Sequence, residues 1–246
     1  MAGRLRIVSP PLTQDQLDGL PDPVRRYFLA AIMEGQPAVA AARLSQVGCL
    51  NMSDNDENWR HCASTQLVVT TRPGFHWNAR ISMAPGLQVY VRDSYVAQAG
   101  LLHATLLGIV TVADLRDTPE LAQAELMRFL AEAVWYPTVL IPGNGVRWQP
   151  VDDVSAQASL GDGANRATLD FEFKNEGLIS TVRAHERYRY LNGKFVPTTW
   201  QGRFSEYAWR DGMRIPLRAE VEWVLPDGRH PYWRGRIGSV CYEWVD

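Results

Sequence analysis

The sequence predicts a mainly β protein: a large curved antiparallel sheet, a half-barrel of about eleven strands, with an N-terminal helix and a central helix packed on its concave side. Three observations predict it. Five turns between Val146 and Trp244 end in glycine, at Asp162-Gly163, Glu176-Gly177, Asn192-Gly193, Asp211-Gly212 and Asp227-Gly228. Such pairs supply the positive φ angles that tight hairpins need. Successive turn glycines stand 14, 16, 19 and 16 residues apart, which leaves room for strands of roughly ten residues; strands of that length in one sheet must twist and curl. Finally, two capped helical patterns interrupt the strands.

Taken in order, residues 1–20 read as a polar, proline-containing and partly mobile lead. Pro21-Asp22-Pro23 then opens a helix over 22–34, in which Val24, Tyr27, Phe28, Ala31 and Ile32 recur at helical spacing before Gly35 and Pro37 end it. From Val39 the period changes to two, giving strands near 40–52, 62–71, 74–84, 87–97 and 100–110. Phe75, Trp77, Ala79, Ile81 and Met83 share one face of the third, and His76, Asn78, Arg80 and Ser82 share the other. Thr118-Pro119-Glu120 starts a second helix over 118–135, which stops at Trp135-Tyr136-Pro137. The glycine-punctuated meander follows. No linker divides the chain, so residues 1–246 read as one domain.

Composition narrows the function. A net charge of −2, with acidic and basic residues interspersed, leaves no electrostatic footprint for nucleic acid. The opening MAGRLRIVSPPLTQDQ lacks the apolar stretch of a signal peptide, and no apolar run approaches the ~18 residues of a membrane span. Cys49, Cys62 and Cys241 form no CxxC pair and suit a reducing compartment. Together these predict a cytoplasmic protein. The five histidines show neither HxxxH nor HxH spacing, and no phosphate-binding loop or nucleophile elbow occurs, so neither metal nor cofactor is expected.

What stands out is nine Trp and nine Tyr. Aromatics at this level fill a large core or line an apolar ligand cavity. In the cavity reading the wall combines Trp77, Tyr90, Trp135, Tyr136, Tyr188, Trp200 and Trp223 with the charged anchors Arg80, Glu132 and Arg203. Two carboxylates are candidates for acid/base chemistry. Glu132 stands near Trp135 and Tyr136 at the helix end, where an ion pair with Arg128 is the plainer account. Glu186 shares strand parity with Val182, Ala184, Tyr188 and Tyr190, where a carboxylate must be paired or hold its proton. Arg92 with Asp93, Arg203, Glu206, Arg234 and Arg236 read as cross-strand pairs on an outer face.

The strings LPDPVRRYF (20–28), PGFHWNARISMAPGLQVYVRDSY (73–95), AEAVWYPTVLIPGNGVRW (131–148), TTWQGRFSEYAWRDGMRIP (198–216) and PYWRGRIGSVCY (231–242) together resemble an uncharacterised bacterial domain-of-unknown-function family. That resemblance spans nearly the whole chain and implies one domain; it carries no catalytic residues across. The order of helix, strands, central helix and long meander also resembles the topology of the LolA-type lipoprotein-carrier half-barrel. Those carriers are exported, which this N-terminus does not match.

Three functions stay open at this stage. The first is binding of an apolar or amphipathic small molecule, such as a lipid, between sheet and central helix. The second is a hydrolase or isomerase using Glu132 or Glu186 with Tyr136 or Tyr188. The third is a structural or interaction module with a filled core. The oligomeric state is not written in the sequence.

Overall fold

The computed structural model describes residues 14–53 and 56–245. Most of the expected lead lies outside these residues. Its last part forms a short helix, α1 (Gln14–Leu17), with Leu17 buried in the core. Helix α2 (Asp22–Ala31) starts on Pro23, whose missing N–H is no loss in a first turn, and buries Val24, Tyr27, Phe28 and Ala31. Tyr27 meets the ring of Phe173 at 5.9 Å.

Thirteen strands follow: β1 (Val39–Asn51), β2 (Trp59–Val69), β3 (Gly74–Ala84), β4 (Leu87–Val96), β5 (Ala99–Leu106), β6 (Val110–Arg116), β7 (Arg147–Pro150), β8 (Ser155–Asp162), β9 (Asn165–Phe173), β10 (Ile179–Leu191), β11 (Lys194–Arg210), β12 (Met213–Leu225) and β13 (Gly228–Trp244). All thirteen join in one antiparallel sheet with β6 and β7 at its edges and β1 paired to β13 in the middle. The five glycine turns connect the strands from β8 to β13. At Asn192-Gly193 and Asp211-Gly212 both residues have positive φ (49° and 82°, 46° and 79°), the twist-matched form of a two-residue hairpin.

The sheet has two more strands than expected. β6 was hidden because the turn before it, Leu107-Gly108, carries its positive φ (54° and 74°) without an Asn or Asp, and β7 is only four residues long.

Between the two sheet edges the chain forms helix α3 (Pro119–Glu132), followed by two 3₁₀ turns at Ala133–Trp135 and Pro137–Leu140. Thr118 caps α3 by accepting from the Leu121 N–H. The helix buries Leu121, Ala122, Ala124, Glu125, Leu126, Met127, Phe129, Leu130 and Ala131, far more than one apolar stripe, because it lies inside the curved sheet against β3, β4 and β5 on one side and β9 and β10 on the other. Its first turn packs tightly: a Cβ on Gly100 would stand 2.8 Å from the Leu121 side chain. Across the opening, Tyr95 Oη donates to Asp162 Oδ2 at 3.0 Å, and Asn165 Nδ2 donates to Tyr95 Oη and to the Gln98 carbonyl. Thus the half-barrel is joined outside its ladder.

Candidate functional site

The concave face and α3 do not fill the space between them. A cavity of about 740 Å³ remains, within the ~300–1,000 Å³ common for small-molecule sites. Trp77, Trp135, Trp200, Trp223 and Trp233 are half of the aromatic residues in its wall, and Ile81, Val91, Leu102 and Leu121 form part of its aliphatic side. Met52, Val112 and Tyr190 also line it while remaining exposed, which marks its opening.

The positions chosen from sequence divide cleanly. Trp77, Glu132, Trp135, Tyr188, Trp200 and Trp223 all line the cavity. Arg80, Tyr90 and Arg203 do not: each is exposed on the other face of the sheet. Strand parity explains the correction. Arg80 and Arg203 stand three residues from the inward Trp77 and Trp200, and Tyr90 lies between the inward-facing Val89 and Val91. Arg203 instead donates to Glu222 Oε1 at 3.2 Å, in an outer-face group where Gln201 and Arg229 also donate to Glu222. Tyr136 is fully buried behind the wall, and its hydroxyl donates to the Phe129 carbonyl at 2.8 Å. Glu186 is exposed as well. A β-bulge between Ala184 and Arg187 shifts the parity of β10 and turns Arg187 inward in its place.

Along the floor of the cavity runs a buried polar cluster that sequence reasoning mostly missed. Arg128 of α3 donates through Nη1 to Asp93 Oδ2 at 2.6 Å and through Nε to Glu132 Oε1 at 2.7 Å. The Arg128–Glu132 ion pair is thus present, but it is part-buried rather than freely solvated. Its guanidinium also lies over the rings of Phe75 and Trp77, at 4.9 and 5.0 Å. Glu132 Oε2 accepts from Gln66 Nε2 at 2.6 Å, and Gln46 Oε1 accepts from Ser64 Oγ and Trp77 Nε1. Arg187 donates to the Ala124 carbonyl at 3.2 Å and stands 3.4 Å from Glu125 Oε1, with its guanidinium over Trp200 and Trp223. Parity could have revealed Asp93, which alternates with Val89, Val91 and Tyr95. Likewise Glu125, Arg128 and Glu132 fall three and four apart on a helix with no polar face to spare.

Glu125 is 3% exposed, and its Oε2 has no hydrogen-bond partner. Burial, reinforced by the nearby Asp93 carboxylate, pushes its carboxyl up from 4.5 to about 8 against the opposing pull of Arg187 and Arg128. The folded protein therefore keeps a proton that the unfolded chain has released. Between these two values folding stability should fall as pH rises, with this contribution level below and above the window. In a Glu125→Gln variant that slope is expected to disappear, so the variant gains stability relative to the parent at pH 9 and changes little at pH 4. Urea denaturation at both pH values measures it, and parallel profiles for the two proteins would contradict the assignment. Among the described residues no group of three or more His, Cys, Asp and Glu is placed to hold a metal ion, and no helix is long and apolar enough to cross a membrane.

A sequence profile described as a family of unknown function (DUF6920) matches residues 18–242. The chain belongs to that family. Among curated proteins none matches it significantly in sequence. Solved structures similar to it include the following two. A LolA superfamily protein from Nitrosomonas europaea has 10% identity and a TM-score of 0.41, over 91% of this chain and 93% of that one. A β-barrel-like protein of a domain of unknown function (DUF1849) from Brucella abortus has 9% identity and a TM-score of 0.26, over 84% and 99%.

Proposed function

We propose that this protein binds an apolar or amphipathic small molecule, of lipid character, between its curved sheet and α3. The observation that carries the reading is the cavity of about 740 Å³, walled by tryptophans and aliphatic side chains with its few polar groups gathered on one floor. A volume of that size also counts against a filled structural core. In this reading Trp77, Trp135, Tyr188, Trp200 and Trp223 form the wall, and residues 1–246 act as one domain. Cytoplasmic residence belongs to the same proposal, supported by the exposed free thiol of Cys241, which suits a reducing compartment.

The test is titration of the delipidated protein with 1-tetradecanol, followed by tryptophan fluorescence. Saturable quenching is expected, along with recovery of an alkyl-chain compound from protein purified without detergent. No quenching by alcohol, carboxylate or ammonium probes would remove the reading.

A second reading, acid/base catalysis, draws on Glu125, whose raised carboxyl adjoins the cavity as a catalytic acid would. Binding is preferred because the unpartnered Glu125 Oε2 is enclosed by protein and both Glu132 oxygens are engaged by Arg128 and Gln66.

A further inference from the structure

Within the binding reading above, on which this inference rests, we propose that Arg187 anchors the carboxylate head of an amphiphile whose alkyl chain lies along the tryptophan wall. Arg128, Arg187 and Arg189 line the cavity, and the first two, the ones set on its floor, are not equally occupied. Arg128 is gripped by two carboxylates at 2.6 and 2.7 Å. Arg187, only 8% exposed, has a backbone carbonyl at 3.2 Å and a single carboxylate oxygen at 3.4 Å, beyond the ~2.7–2.9 Å of a strong charge-assisted pair. A buried cation held this loosely needs a better acceptor, and the planar fork of arginine fits a carboxylate through two parallel hydrogen bonds. The bulge in β10 sets the guanidinium against Trp200 and Trp223, at 5.4 and 5.7 Å, and both rings line the cavity. A chain leading away from an Arg187-bound head therefore runs directly onto apolar surface.

Glu125 gives the binding step a second signature. It is faced by Asp93 from β4, Arg128 and Glu132 from its own helix, and Arg187 from β10. Burial already favours its protonated form, which leaves Arg187 short of an ionised partner. A carboxylate arriving at Arg187 adds negative charge beside Glu125 and should draw protons from solvent onto it, up to about half a proton per chain at pH 8; an arriving ammonium would release protons instead.

The experiment titrates the full delipidated chain at pH 8, below micellar concentrations, with tetradecanoate, 1-tetradecanol and tetradecyltrimethylammonium. Tryptophan fluorescence reports binding and an indicator dye reports protons. Tetradecanoate is expected to bind roughly tenfold to a hundredfold tighter than the alcohol, with proton uptake. Arg187→Met should lose that preference while alcohol binding is retained. Should Arg187→Met fail to fold, Arg187→Lys, which keeps the charge without the fork, is expected to show a reduced preference, and proton uptake by the parent protein serves as the independent readout. Equal affinities for carboxylate and alcohol, or preference for the ammonium with proton release, would overturn the anchor and leave the cavity reading standing. Failure of all three probes to bind would remove both.

Discussion

Replacing Trp135 with alanine is expected to lower the free energy of unfolding by about 3–5 kcal/mol, the range for truncating a large buried aromatic. Trp135 is 3% exposed at the end of the turn that follows α3. Its ring meets Phe204 edge-on at 6.2 Å, its Nε1 donates to the Pro216 carbonyl at 3.0 Å, and its own carbonyl accepts from Tyr242 Oη at 2.7 Å. These contacts hold the exit of the central helix to β11, β12 and β13. Truncation removes the ring and leaves the Pro216 carbonyl without its donor, so the loss combines a packing term with an unmade buried hydrogen bond. Since Trp135 also lines the cavity, the variant should bind alkyl probes with changed affinity as well. Trp209, 50% exposed, is the control, and its alanine variant should stay within about 0.5 kcal/mol of the parent. Coincident denaturation curves for Trp135→Ala and the parent would place the ring outside the core.

The architecture was legible because hairpins and helix starts are written locally. Asn192-Gly193 and Asp211-Gly212 advertise their backbone angles in their residue types, and Thr118-Pro119 advertises a capped helix. Where a turn used Leu107 for positive φ instead, the strand beyond it was lost. Much of the inner face was legible too, since alternation places Trp77, Val91 and Asp93 inward once a single register is known. The choice of Arg80, Tyr90 and Arg203 as anchors went against that same alternation.

Part of the rest was not legible, because bulges are set by pairing between strands and leave little trace in any one of them. The irregularity between Ala184 and Arg187 exchanges an exposed Glu186 for a buried Arg187, a change that no reading of β10 alone could supply. Gln46 is buried beside an exposed Val47, the reverse of what hydropathy suggests, although β1 keeps a regular alternation there with Ala42 and Leu44 on the same face. Both sites feed the polar floor of the cavity. Irregular pairing thus accounts for Arg187, whereas Asp93, Gln46, Glu125 and Arg128 sit in regular elements whose hydropathy, not register, hid them.

The same floor supports the other large effect. Arg128→Met is expected to cost about 3–5 kcal/mol at pH 8, as found when one member of a buried ion pair is removed. Methionine approximates the aliphatic stem but leaves Asp93 and Glu132, with side chains only 10% and 14% exposed, as facing carboxylates without their shared cation. Arg128 is also one of the two charges that oppose the rise at Glu125, so its loss adds to the proton affinity of that buried carboxyl. Adding Asp93→Asn and Glu132→Gln to Arg128→Met removes the uncompensated charges and should restore much of the stability at pH 8, because neutral groups in a buried site cost far less than unpaired ions. If Arg128→Met alone unfolds at the same urea concentration as the parent at pH 8, then Arg128 and its two carboxylates are solvated in solution, and the cavity has no buried polar floor.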